Sequence, residues 1–379
     1  MPAEIRPAFF TFAADMSTPH FHTLRIKEVR PETAECVSVS FEVPESLKET
    51  FRFLPGQYLT LRTVIEGTEV RRSYSICSAA GEDELRVAVK KVDQGKFSGF
   101  VNGVLKAGDE LEVMPPLGKF TPRSGEKTGK KYLAFAAGSG ITPIIGIMKS
   151  VLRQEPDSEF TLVYGNKNRG SIIFKEAIEA LKNKYMQRLR VYHVFTRETM
   201  DTPLFNGRIN ADKAKAFCER LIDAASMDEL FICGPEDMIL GLRDFFIEDL
   251  KIDAHRVHFE LFSSPDQPRT VHKEWASRQQ QIDPSKVSRV TVKLDGAAFE
   301  MALAYGGDNI LDAALQQGAD LPYACKGGVC STCKAKLVSG EVDMEVNYAL
   351  EPDELAANFI LTCQAHPRTE KVVVDFDIK

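Results

Sequence analysis

Residues Tyr323–Leu337 are YACKGGVCSTCKAKL. Three cysteines, Cys325, Cys330 and Cys333, stand in the order C-x4-C-x2-C, and Cys363, in ILTCQAHP, follows after 29 further residues. Four thiols could be structural, could clip a zinc ion, or could ligate a redox cluster. A zinc ribbon usually offers two C-x2-C pairs, and only one is present. Three close thiolates with a distant fourth are the ligand spacing of a [2Fe–2S] cluster. Such a loop must turn three thiolates inward around a very small centre. Gly327 and Gly328 let the backbone pass close to the sulfides and offer N–H donors with no Cβ in the way. Donors of that kind tune a cluster's potential.

Around this loop the chain gives strand signals from Val287 (SRVTVKLDG, AAFEMALA), a helix (NILDAALQQG) and a closing strand (KVVVDFDIK). LPYACKGGVCSTC resembles the plant-type ferredoxins. The resemblance implies an α+β, β-grasp domain with Cys325, Cys330, Cys333 and Cys363 as cluster ligands. From Lys286 to Lys379 there are nine Lys and Arg against fourteen Asp and Glu, so most of the chain's net charge of −6 lies here. An acidic docking face and a merely solvated surface both suit that balance.

Upstream, SSPDQPRTVHKEWASRQQQIDPSK is polar and has no clean periodicity, as a linker would. Before it, strands alternate with helices. KYLAFAAG leads into SGITPIIGIMKSVLRQ, EFTLVYGN into IIFKEAIEALKNKY, and LRVYHVFT and DELFICG precede EDMILGLRDFFIEDL and VHFELF. Alternation of this kind predicts an α/β domain with a parallel sheet. Earlier still, VSVSFEV, QYLTLRTV, ELRVAVKKV and DELEVMPP are short strands between turns, which predicts an antiparallel β-barrel. The expected division is an arm at 1–20, the barrel at 21–124, the α/β domain at 125–262, the linker at 263–286 and the cysteine domain at 287–379.

A chain of 379 residues suits such a multidomain build, and 44% hydrophobic with 27% charged residues is globular composition. Nothing in the bulk charge suggests nucleic acid, and no apolar run approaches the roughly 18 residues of a membrane span. The first twenty residues lack the apolar core of a secretory signal, so a cytoplasmic, reducing setting is expected. There Cys36, Cys77 and Cys218 are expected as buried thiols.

A one-electron cluster fed by a two-electron nicotinamide needs a flavin between them. Arg72-Ser73-Tyr74-Ser75 and Gly95-Lys96-Phe97-Ser98 resemble the R-x-Y-S and G-x-x-S signatures of the ferredoxin–NADP reductase superfamily, and PGQYLTL resembles the strand before them. The resemblance implies FAD, with Arg72 on its phosphate, Tyr74 against its ring, Ser75 near its N5, and Gly95 to Ser98 on its pyrophosphate. AAGSGITP, with Gly138, Ser139, Gly140 and Thr142, resembles that superfamily's nicotinamide-nucleotide turn. It lacks the G-x-G-x-x-G pattern, and it equally predicts a helix cap at Thr142 with Pro143 in the first turn. Cys233-Gly234-Pro235 in FICGPEDM resembles the motif beside the nicotinamide, with Cys233 near the reacting carbon; a packing thiol is the other reading. Glu260 and Phe262 fall where the superfamily closes this domain on the flavin. Thr196-Arg197-Glu198 resembles the segment that meets the 2′-phosphate of NADP, with Arg169 as a helper, so NADPH is expected rather than NADH.

Barrel, nucleotide domain and ferredoxin in this order resemble the reductase components of multicomponent oxygenases. AAGSGITP, LDAALQQGADLPYACKGGVCSTCK and NYALEPDELAANFILTCQA resemble more closely the reductases of phenylacetyl-coenzyme A epoxidase complexes. The implied path runs from NADPH through FAD and [2Fe–2S] to a diiron oxygenase. Another oxygenase or a hybrid-cluster protein as acceptor, or a ferredoxin carrier with inactive reductase domains, stay open as alternatives.

Overall fold

A computed structural model of the chain describes residues 20–123, 128–262, 275, 283 and 285–378. The arm expected at 1–20 lies outside them except for His20. The linker expected at 263–286 lies outside them except for Trp275, Asp283, Ser285 and Lys286.

The first sheet joins β1 (His22–Thr33), β2 (Cys36–Glu42), β3 (Tyr58–Ile65), β4 (Thr68–Ser75), β5 (Leu85–Lys90) and β6 (Glu110–Val113) in the order β4-β3-β6-β1-β2-β5. All its pairs are antiparallel, and a bridge from Ile76 to Val87 joins the two outer strands, so the sheet closes into the expected barrel. Alternate residues such as Leu59, Leu61, Val87 and Val89 fill its interior. Helix α1 (Lys96–Gly103) packs on this core through Phe97 and Val101.

The second sheet is wholly parallel: β7 (Lys131–Ala137), β8 (Glu159–Asn166), β9 (Leu189–Phe195), β10 (Glu229–Gly234) and β11 (Val257–Leu261), in the order β11-β10-β7-β8-β9. The chain starts at β7, adds β8 and β9 on one side, then returns to add β10 and β11 on the other. That reversal opens a crevice beyond the carboxyl ends of β7 and β10, where doubly wound sheets bind ligands. Helices α2 (Ile141–Gln154), α3 (Lys175–Lys184), α4 (Ala211–Arg220) and α5 (Glu236–Asp244) cover its two faces.

The third sheet comprises β12 (Val287–Leu294), β13 (Ala297–Ala304), β14 (Lys334–Ser339), β16 (Phe359–Leu361) and β18 (Lys371–Asp375), ordered β13-β12-β18-β14-β16, with β15 (Val342–Met344) pairing β17 (Ala365–Pro367) alongside. The pair β12–β18 is parallel and the other pairs are antiparallel. Helix α6 (Ile310–Gln316) buries Ile310, Leu311 and Ala314 against this sheet, the β-grasp arrangement, and α7 (Pro352–Ala356) precedes β16. Trp275 rests against His366 of this domain, ring centroids 4.9 Å apart. Among the described residues no helix is long and apolar enough to cross a membrane.

Candidate functional site

The four cysteines come together. Cys325, Cys330, Cys333 and Cys363 are all buried, and their thiols pair two and two, Cys325 with Cys330 and Cys333 with Cys363. Two pairs of buried thiols are a donor set that two irons of a [2Fe–2S] cluster would share. Positive φ at Lys326, Gly328 and Ser331 curls the loop. A Cβ on Gly328 would stand 3.0 Å from Val346 Cγ2 and 3.2 Å from the Val346 carbonyl oxygen. The curl aims the Gly327 N–H at Cys325 Sγ, 3.3 Å away, and Gln364 Nε2 donates to Cys363 Sγ at 3.3 Å. The Cys330 thiol, then the N–H groups of Gly327, Val329 and Cys330, pull the Cys325 thiol down to about 6 against its burial. These donors serve a thiolate, so the residues present fit a [2Fe–2S] cluster.

On the barrel, Arg72 and Tyr74 lie two apart on one side of β4, with Ser75 on the other. Tyr74 packs beside Phe97 of α1, centroids 5.7 Å apart. Arg72 Nη1 donates to the Arg71 carbonyl at 2.6 Å. Helix α1 starts at Lys96 with Gly95 before it, so the N–H groups of its first turn have no partner within the helix. The Ser98 hydroxyl is engaged inside this turn: it accepts from the Val92 N–H at 3.1 Å and donates to the Gly95 carbonyl at 3.3 Å. Ser98 therefore shapes the turn, while the backbone of Lys96 and Phe97 remains for an anion.

The two glycine turns meet at the crevice of the parallel sheet. A Cβ on Gly140 would stand 2.0 Å from the Cys233 carbonyl oxygen and 2.8 Å from the Gly234 nitrogen, so only glycine permits this approach. Helix α2 begins at Ile141 with Gly140 as its cap, earlier in the chain than a cap at Thr142. The Thr142 hydroxyl instead donates back to the Ser139 carbonyl at 3.0 Å, because Gly138–Gly140 already forms a 3-10 turn. Gly138 has φ +55, accepts from the Tyr164 hydroxyl at 3.0 Å, and lies near Lys90: a Cβ placed on it would be 3.7 Å from Lys90 Nζ. Sequence reasoning passed over Lys90, which is only one of two adjacent lysines in a strand ending.

Cys233 is fully buried, and burial, with Glu260 nearby, pushes its thiol well up. It stands opposite Glu260 in register. Glu260 reaches across to the barrel and accepts from the Ser75 hydroxyl at 3.1 Å. Glu260 is half-buried, and desolvation of its carboxyl raises it to about 8. Ser75, Glu260 and Cys233 thus form one line from barrel to crevice. Pro235 is exposed at the start of α5, and Phe262, at 45% exposure, lies open to solvent. Arg197 is exposed just past β9, held by its N–H to the Lys167 carbonyl at 2.8 Å. Arg169 is committed to Glu198 at 2.7 Å.

A barrel with an anion-facing turn, a nucleotide crevice touching it, and paired thiols for two irons define an NAD(P)H-dependent flavin and iron–sulfur oxidoreductase. Three family models match: an oxidoreductase FAD-binding domain over 24–121, an oxidoreductase NAD-binding domain over 135–244, and a 2Fe-2S iron-sulfur cluster binding domain over 292–368. The chain belongs to the family of reductase components of multicomponent oxygenases. It is 45% identical over 95% of its length to one of the subunits of the 1,2-phenylacetyl-CoA epoxidase of Escherichia coli (strain K12), covering 98% of that protein. It is 34% identical over 93% of its length to the ferredoxin reductase component of the 3-ketosteroid-9-alpha-monooxygenase of Rhodococcus rhodochrous, covering 96% of that one. In fold it resembles phthalate dioxygenase reductase, with a TM-score of 0.55 at 22% identity over 94% of this chain and 98% of that one.

Proposed function

We propose that the chain draws electrons from NADPH and delivers them to a diiron oxygenase, the phenylacetyl-coenzyme A epoxidase. FAD, when bound, would divide a hydride's two electrons into single ones that [2Fe–2S] can carry. Arg72 would hold a flavin phosphate by a charge-assisted bond, the first turn of α1 at Gly95, Lys96, Phe97 and Ser98 would hold the pyrophosphate, and Tyr74 would flank the ring. Gly138, Ser139, Gly140 and the start of α2 would seat the nucleotide's pyrophosphate, with Thr142 bracing the turn. Cys233, Gly234 and Pro235 would wall the nicotinamide. Arg197, a cation with no carboxylate partner among the described residues, would meet the 2′-phosphate that distinguishes NADPH from NADH.

The observation that carries this reading is the Ser75–Glu260 bond beside Cys233, since it brings the flavin strand to the crevice where a nicotinamide would lie. The 45% identity to the epoxidase component supports the acceptor. Reconstitution of the purified chain with the catalytic epoxidase components, NADPH and phenylacetyl-coenzyme A tests it. Oxygen-dependent epoxide formation is expected. Its failure while another oxygenase accepts the electrons would replace the acceptor, and a chain whose flavin NADPH leaves oxidised would be only a carrier. Arg197→Ala should raise KM for NADPH about tenfold, equivalent to ~1.4 kcal/mol, and leave NADH nearly unchanged. Equal losses with both nucleotides would remove the phosphate role.

A further inference from the structure

Tyr58 stands on β3 directly opposite Ser75 of β4. Its ring is buried, but its hydroxyl leaves the barrel. It donates to the carbonyl oxygen of Cys330, a cluster ligand, and lies 3.0 Å from Thr332 Oγ1. Under its ring lie Ala324, Cys325 and Cys330, with Leu117 and Val329 at the margin. Further along the same face of the β3–β4 pair, Arg71 is also buried. Its Nη2 meets Asp320 at 2.9 Å, its Nη1 points to the Leu321 carbonyl at 3.4 Å, and its guanidinium covers the Tyr323 ring at 4.3 Å. Lys119 adds a third contact, 2.6 Å from Glu354. In these two ion pairs the cation belongs to the barrel and the carboxylate to the acidic third domain.

We propose that Tyr58 and Arg71 make the β3–β4 face of the flavin barrel a docking seat for the cluster loop, and that the ferredoxin domain leaves this seat to serve a protein acceptor. The proposal rests on the reductase reading above. On the seat, Cys325, Cys330 and Thr332 are each less than a tenth exposed, so the loop nearest the cluster is covered by the barrel. An oxygenase cannot occupy a surface that Tyr58 already holds. Among the described residues the seat is made of the Tyr58 hydroxyl, the Arg71 and Lys119 ion pairs, the contacts of Arg71 with the Leu321 carbonyl and the Tyr323 ring, and a small apolar spot. Val329 and Tyr348 touch the parallel-sheet domain, Tyr348 through its hydroxyl 3.4 Å from Glu236. Largely polar interfaces of this kind within a chain separate readily. One hydride brings two electrons and the two-iron centre takes one. Each hydride therefore serves two visits to the seat, one electron leaving each time for the acceptor, and the proton passes to water.

The test uses the full chain loaded with FAD and iron. In Tyr58→Phe and Arg71→Gln, stopped-flow mixing with NADPH should show flavin reduction at the wild-type rate and cluster reduction, followed by freeze-quench EPR, slowed at least fivefold. Cluster reduction at the wild-type rate in both variants overturns the seat. Loss of flavin reduction in the wild-type chain would sink the reductase reading instead. Carbodiimide should join Lys119 to Glu354 as an amide. The joined chain should still reduce its cluster and ferricyanide but reduce cytochrome c at least fivefold more slowly, and Lys119→Gln treated alike should be unaffected. Failure of that amide to form counts against the docked contact. Full-rate cytochrome c reduction by the joined chain shows that departure is not required.

Discussion

Gly140→Ala puts the meeting of the two glycine turns to the test. The added Cβ would sit 2.0 Å from the Cys233 carbonyl oxygen, where contacts under 3.0 Å essentially never occur. One of the two turns must retreat by about 1 Å, and both are backbone, with no flexible side chain to yield. Displacements of ~1 Å in a site that aligns reactants cost on the order of 100-fold in rate, and overpacking strain costs about 1–3 kcal/mol of stability. The assay is anaerobic mixing of the variant with NADPH, reading the rate of flavin bleaching. Photochemical or dithionite reduction of flavin and cluster serves as the control for intact cofactors. Flavin and cluster should be retained and reducible by dithionite, while hydride transfer from NADPH falls ten- to a hundred-fold. Wild-type hydride transfer in Gly140→Ala would mean that the nucleotide does not bind where these turns touch.

Arg72→Ala should weaken flavin binding by ~1.5–3 kcal/mol, read as flavin lost on dilution; undiminished retention would remove Arg72 from the phosphate. Serine at Cys325, Cys330, Cys333 or Cys363 should abolish the cluster's iron and acid-labile sulfide while NADPH still reduces flavin and small dyes; full iron and sulfide in any one variant would unseat that ligand. Glu260 holds its proton up to about 8 in the folded chain and releases it near the ordinary carboxylate value when unfolded. It therefore disfavours the fold progressively as pH rises from about 4.5 toward 8. Glu260→Gln should flatten that stretch of the pH profile of thermal flavin release, and an unchanged slope would assign it to other groups.

The cysteine domain was legible because its signal is local: four ligands, a glycine turn and a helix lie within one small fold. The parallel sheet was legible as strands and helices but not as an order, since nothing in LRVYHVFT or DELFICG says that the chain returns past β7 between them. Strand β1 went unread because only Leu24 and Ile26 of its twelve residues are fully buried, so its alternation dissolves among charges. The cap lies at Gly140 rather than Thr142 because the 3-10 turn Gly138–Gly140 runs straight into the helix. Tyr58 and Arg71 gave no warning at all. Each looks like an ordinary barrel residue, and their partners lie about 250 residues or more away in the chain. Long-range polar contacts of that kind leave no periodicity behind.

The central claim is that electrons pass from nicotinamide to flavin to cluster within one chain. A single-turnover experiment with limiting NADPH under anaerobic conditions, following flavin and cluster together, tests it most directly. Flavin absorbance should fall first and the cluster signal should rise second, with the second phase missing in Cys333→Ser and the first intact. A cluster reduced at the same rate in chains stripped of flavin, or a flavin left oxidised while the cluster is reduced, would contradict the path.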